Sequence, residues 1–245
     1  MDAQAWPQVL VVCGLAFEAA IAAGPGVAAV CGPGAAPLAD GVAEPIEARI
    51  EAQIGALRRA GAPPPAGIIS FGCAGALDPA LLPGSCVVAR AVCGGGERIA
   101  ADAVWLRVLM DRLPAARLGV LAGADAPVTS ARHKARLRRD SGACAVDMES
   151  RAAALAARRH GLPFAACRVV LDPAWRAIPP CALEGVRANG SGAPLALLAC
   201  LARDPRQLAP LCALAREAWL ARRALVRVRA RLGFAFALPA PRAMG

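Results

Sequence analysis

An α/β fold, a three-layer sandwich with a central, mostly parallel or mixed sheet, is predicted by three features of the sequence. Short apolar runs without polar alternation, such as Val9–Cys13, read as strands buried on both faces. Other segments carry apolar residues at helical spacing, and Ile46, Ile50, Ile54 and Leu57 mark one face of a helix over residues 44–60. The two kinds of segment alternate along the chain, an order that covers a sheet with helices on both sides. The 245 residues are 57% hydrophobic, against a usual value of about 45–50%, so the core material is ample and residues 1–245 read as one domain.

Each element follows from local chemistry. The first strand, Val9–Cys13, stops at Gly14. A weaker strand, Val27–Cys31, runs into a turn-rich stretch over 32–37. Gly61 ends the helix over 44–60, and Pro63, Pro64 and Pro65 form a stiff connector to a strand over 67–71. A β-branched strand follows over 85–92. Asp102 caps a helix reaching Leu113, a strand returns over 118–122, and residues 131–140 form a basic surface helix. Residues 144–146 lead into a helix over 149–160, which Gly161 closes. Residues 164–172 are apolar except for Arg168 and the terminal Asp172 and make the clearest buried strand. An irregular, Pro-rich loop over 175–193 precedes two final helices.

Composition removes several function classes. Gly and Pro together make 18% of the chain, below the roughly 25–30% of low-complexity sequences. The longest apolar stretch near the start, residues 9–17, is closed by Glu18 and is far short of the roughly 20 residues that span a bilayer. No export leader is expected, because the first basic residue is Arg49 and Asp2 stands where a basic segment would be. The ten cysteines form no CxxC pair and sit mostly in apolar runs, where a free thiol behaves as a small hydrophobe. Those features point to a reducing cytoplasm. His133 and His160 have no second ligand at metal spacing, so no metal site is expected. The net charge is +10, and 27 of the 28 basic residues are arginine, with Lys134 the sole lysine.

In sheets of this kind the ligand lies beyond the carboxyl ends of the strands. Three segments there carry chemistry. Asp172 ends the apolar strand, and as an acid leaving a low-dielectric region it either donates a proton or caps the following turn. Val146-Asp147-Met148-Glu149-Ser150 puts two acids at a strand-to-helix junction, where they serve the helix dipole or present one carboxylate to the crevice. Gly72, Cys73, Ala74 and Gly75 let backbone N–H groups approach an anion or a sugar, or simply make a tight turn.

Taken together, in this order and spacing, the segments resemble the nucleoside phosphorylase/nucleosidase superfamily from Val9 to about Asp172. Within it the chain looks most like the hopanoid biosynthesis-associated phosphorylases, through Gly14 to Glu18, Ser70 to Pro79, Val146 to Ser150 and Arg168 to Pro173. The resemblance implies cleavage of an N-glycosidic bond through an oxocarbenium-like sugar. Asp172 would hydrogen-bond or protonate N7 of the departing purine. Glu149 would accept hydrogen bonds from the ribose hydroxyls, and Met148 would pack on the sugar. Val128, with Pro127, would lie at the adenine edge, Arg168 would partner an acid, and Glu18 would orient the nucleophile.

Three departures stand out: Glu18 is one residue nearer Gly14 than the nucleosidase glutamate, Ser70 replaces a phosphate-holding Arg, and Cys73 replaces a Ser or Thr. They leave water and inorganic phosphate both open as nucleophile, with no other cofactor expected. The implied substrate is adenosylhopane, a lipid-linked nucleoside. A general purine nucleoside phosphorylase and a methylthioadenosine/adenosylhomocysteine nucleosidase are the alternatives, and relatives of this kind form homo-oligomers.

The C-terminal region adds a partner question, since nine arginines and two acids fall between Leu201 and Gly245. A basic amphipathic helix over about 206–232 either packs on the sheet or meets anionic lipid, which makes peripheral membrane contact an expectation. A non-catalytic protein that binds nucleic acid or membrane is the opposing reading. It lacks the aromatics interleaved with arginine that base stacking needs, so nucleic acid is not the expected partner.

Overall fold

The computed structural model describes residues 9–32, 45–187 and 190–239. Eight strands form one mixed sheet: β1 (Val9–Cys13), β2 (Val27–Cys31), β3 (Ile68–Ala76), β4 (Cys86–Gly94), β5 (Glu97–Ala100), β6 (Arg117–Gly123), β7 (Ala145–Asp147) and β8 (Phe164–Val170). Five of the strand pairings are parallel, whereas β3 with β7, β4 with β5 and β4 with β8 are antiparallel. The pairings run round a closed circuit, β3–β7–β6–β4–β8 and back to β3, from which β1 and β2 extend at one side and β5 at the other.

Helices cover both faces. They are α1 (Ala16–Ala22), α2 (Ile46–Arg59), α3 (Ala103–Arg112), α4 (Ala131–Ser141), α5 (Ser150–Arg159), α6 (Pro180–Glu184), α7 (Pro194–Arg203) and α8 (Leu208–Leu232). The period-2 alternation of β1 separates the two cores. Leu10 and Val12 pack with Ile46, Ile50 and Ile54 of α2 and the alanine face of α5. Val9, Val11 and Cys13 face the other way, onto Trp105 of α3 and Leu225, Val228 and Leu232 of α8. A strand with no polar side has two apolar layers to fill.

Several elements differ from the sequence reading. The helix α1 had no stop or periodic signal in only seven residues, and it starts where Glu18 accepts from the Leu15 N–H. The loop expected from Gly72 onward is strand, because β3 continues to Ala76 and pairs with β7 and β8. The strand over 85–92 turns at Gly95 and Gly96 into the added β5. The stretch over 175–193 contains α6, and its Cys181 is joined to Cys200 of α7 by a disulfide, so not all ten thiols are free as expected. No periodicity in so short a helix marks that contact. The predicted helix start at Glu44, most of the turn-rich stretch (33–37) and residues 240–245 lie outside the described residues.

The long helix α8 keeps one half of its predicted amphipathic pattern. Ala221, Leu225, Val228 and Leu232 are buried on the sheet, while Arg216, Arg222, Arg223, Arg227 and Arg231 face solvent. Trp219 and Val226 stand among those arginines, about half exposed, with the Arg223 guanidinium 4.6 Å from the Trp219 ring centre. Among the described residues, no helix is long and apolar enough to cross a membrane.

Candidate active site

Five segments that leave the strands converge on one cleft of about 230 Å³. Its wall takes Gly14, Leu15 and Glu18 from the end of β1 and the start of α1, Gly75 from β3, and Ala124, Ala126, Pro127 and Val128 after β6. Asp147, Met148 and Glu149 come from the β7–α5 junction and Asp172 from the end of β8. Ile178, Leu183 and Val186 close the cleft with apolar surface. Of the four small residues Gly72 to Gly75, Gly75 reaches the wall, while Gly72 and Cys73 lie behind Glu18 and Ala74 is buried in the sheet.

Glu18 is 1% exposed and its carboxylate accepts from three backbone N–H groups. One oxygen accepts from the N–H groups of Gly14 (2.9 Å) and Leu15 (3.0 Å), and the other from Cys73 N–H (2.7 Å). Gly72, at φ +153°, allows this approach, since a Cβ there would run into the Glu18 carboxylate and lie 2.8 Å from Arg168 Nη1. Burial and then the Glu18 charge push the Cys73 thiol well above its ordinary value, so it stays neutral.

Arg168 is fully buried beneath the cleft and organises the acids. Its Nε lies 2.7 Å from Asp147 Oδ2 and its Nη2 3.2 Å from Glu149 Oε2. It also donates to the Ser70 hydroxyl and, at 3.2 Å, to the Cys73 carbonyl. Asp147 accepts further bonds from the Ser150 N–H (3.0 Å) and the Ser150 hydroxyl. With so many donors committed in a plane, the guanidinium fixes Glu149 against Gly14, where a Cβ would be 2.7 Å from Oε1. Burial pushes Glu149 up to about 8 against the opposing pull of Arg168, and the nearby Asp147 and Glu18 charges add to the rise. Both acids of the junction therefore reach the cleft, where alternation of faces required only one.

Asp172 lines the same cleft from the end of β8. Its backbone continues the ladder with β3, because Leu171 N–H donates to Ala74 O (2.9 Å) and Ala76 N–H to Asp172 O (2.8 Å). Burial raises its proton affinity, and the ammonium of Lys134 pulls it back. Lys134 is fully buried on α4, where it pairs with Asp172 Oδ2 and donates to the carbonyls of Pro173 and Arg176, each at 3.0 Å. The sequence reading placed α4 on the surface, and its other residues bear that out, but Lys134 was missed. The available signal was its solitude: one lysine in a chain that otherwise uses arginine. Ser70 and Ser150 lay within the segments that carry the resemblance, but nothing in the sequence tied them to Arg168.

Among the described residues, no group of three or more His, Cys, Asp and Glu side chains is arranged to hold a metal ion. What the arrangement offers is a pair of rigidly placed acids on one side, a protonatable carboxyl on the other, and apolar walls between.

Residues 16–184 match the phosphorylase superfamily. The chain belongs to that superfamily. It has the fold of the 5′-methylthioadenosine/S-adenosylhomocysteine nucleosidase from Neisseria meningitidis, solved with methylthio-immucillin-A, at TM-score 0.63 and 16% identity over 94% of this chain and 99% of that one. The S-adenosylhomocysteine nucleosidase from Streptococcus pyogenes superposes with TM-score 0.59 at 16% identity, covering 98% and 100%. Futalosine hydrolase of Helicobacter pylori gives 0.52 at 15% identity, covering 68% and 88%. No curated protein matches the chain. As a phosphorylase-superfamily member it is an enzyme of the nucleoside phosphorylase and nucleosidase class, and its mixed sheet is the one these structures share.

Proposed function

We propose that the enzyme cleaves the N-glycosidic bond of a purine nucleoside and releases adenine, with adenosylhopane as substrate. The observation that carries the reaction is that Glu149, set against Gly14, and Asp172, set against Gly75, line one largely apolar cleft. Glu149, anchored by Arg168, accepts hydrogen bonds from the ribose hydroxyls and stabilises the positive charge that grows on the sugar ring. Met148 beside it packs on the sugar. Asp172, whose proton affinity burial raises, protonates N7, so the base leaves as a neutral purine. Val128 and Pro127 line the wall at the purine edge.

Water is the nucleophile we favour over phosphate. The ionisable side chains on the described cleft wall are Glu18, Asp147, Glu149 and Asp172, all acids, so that wall offers a phosphate dianion no cation to bind. Arg168 lies behind them with its charge already paired. The Glu18 carboxylate, locked by three N–H groups, then orients the water.

The lipid-linked substrate rests on the resemblance of the four sequence segments and on the apolar closure by Ile178, Leu183 and Val186. Peripheral contact with an anionic bilayer belongs to the same reading, supported by Trp219 and Val226 set among the outward arginines of α8. A Trp219→Ser/Arg223→Glu variant should co-sediment less with anionic vesicles than wild type, and unchanged sedimentation would remove the contact.

The main test incubates the enzyme with adenosylhopane, with and without phosphate, and identifies the sugar product. Adenine release without phosphate is the expected result, and a ribosyl phosphate formed only with phosphate would reverse the choice of nucleophile. Asp172→Asn should fold normally and lose about 10²–10⁴-fold in turnover, and full activity in that variant would overturn the assignment of the proton donor.

A further inference from the structure

The buried lysine opposite Asp172 is part of the site yet touches no cleft surface. Lys134 is 0% exposed, comes from an otherwise solvent-facing helix, and places its ammonium on Asp172 Oδ2, Pro173 O and Arg176 O. An ammonium has three N–H donors, and here it meets three acceptors that converge from different points. A guanidinium presents its donors in a flat fork and does not match such a tripod. In a chain where every other Lys or Arg position holds arginine, the geometry at this position suits lysine.

We propose that Lys134 is the positioning residue for the proton donor: it grips one oxygen of Asp172 and compensates the charge left when the other gives up its proton. The inference rests on the reading of Asp172 as general acid. In the step, the O–H bond of Asp172 breaks as an N7–H bond forms. The C1′–N9 bond breaks with its electron pair going to the purine, and the new carboxylate forms an ion pair with the Lys134 ammonium. Solvent returns the proton once the base has gone. The grip also fixes direction, because Pro173 and Arg176 belong to the turn that follows Asp172, so the ammonium ties the carboxyl to its own backbone.

The charged and titratable groups around Asp172 are few. Lys134 reaches it from α4, Glu217 acts on it from α8, and Cys73 lies on the β3 side. Arg176 is engaged by Glu217, with its Nη2 2.7 Å from that carboxylate. Lys134 is thus the cation in direct contact with Asp172.

The experiment compares wild type, Lys134→Met and Lys134→Arg on two substrates. Adenosine-type nucleosides need a protonated leaving group, whereas 4-nitrophenyl riboside expels a stable anion without one. In Lys134→Met, purine release should fall about 100-fold or more, with 4-nitrophenol release within about threefold of wild type. The ratio of the two rates in one sample is independent of how much enzyme is folded. The high-pH limb of kcat/KM for purine release, where Asp172 loses its proton, should move to higher pH once the cation is gone. Lys134→Arg should keep that limb near the wild-type position while recovering only part of kcat. A parallel fall on both substrates, or an unmoved limb in Lys134→Met, would overturn the inference. Wild-type enzyme that releases nitrophenol but no purine would overturn the reading of Asp172 itself, and the two failures are distinct.

Discussion

Each wall of the cleft rests on one buried cation, and the two cations work differently. Arg168 comes from the central strand β8 and binds Asp147, Glu149, Ser70 and the Cys73 carbonyl in one planar arrangement. Lys134 comes from the peripheral helix α4 and binds one carboxylate and two carbonyls of a single turn. The arginine is charged throughout any accessible pH range, so its wall is a fixed scaffold, the one we propose to meet the sugar. The lysine is a compact point charge beside a carboxyl whose protonation must change during turnover. Geometry is enforced on one side and proton affinity on the other.

The largest difference between the walls should appear in stability. Arg168→Met leaves Asp147 and Glu149 buried side by side without a counter-charge, and breaking such a pair by removing one partner costs about 3–5 kcal/mol. Lys134→Met uncovers a single carboxyl, which can take up a proton and become neutral, so its cost should be clearly smaller. Urea denaturation of both variants at pH 7 measures the gap. Equal losses would mean that the two cations play the same structural part and that the division drawn above is wrong.

The same contrast explains how much could be read from the sequence. Fold class was legible because strands such as β1 bury both faces and helices such as α2 bury one, and those are local patterns. Glu149 and Asp172 stood at strand ends, where position alone left capping and dipole roles open, and only the resemblance singled them out as site residues. Lys134 was hidden within a surface helix, since the acceptors it meets lie 38 to 42 positions away and no spacing rule joins them. The Cys181–Cys200 disulfide was hidden for a related reason, being formed across two helices whose packing only the tertiary fold decides. The extension of β3 to Ala76 was misread because Gly72 and Gly75 look like a turn until β7 and β8 supply partners on both edges.

The smallest effect, and the one that probes the arginine wall most directly, is a pH slope. In the folded protein burial holds Glu149 at about 8, while in the unfolded chain the carboxyl returns to the ordinary value near 4.5. Between those values the unfolded chain has released this proton and the folded protein has kept it. The unfolded state then binds fewer protons, so stability falls as pH rises, with the contribution fully present below about 4.5 and gone above about 8. One such proton gives a slope of at most about 1.4 kcal/mol per pH unit. Glu149→Gln carries a neutral amide of the same shape and has no proton to lose. Denaturation of the two proteins from pH 5 to 8 should show wild type losing stability more steeply, with the curves drawing parallel above pH 8. If they ran parallel throughout, Arg168 would already hold Glu149 ionised.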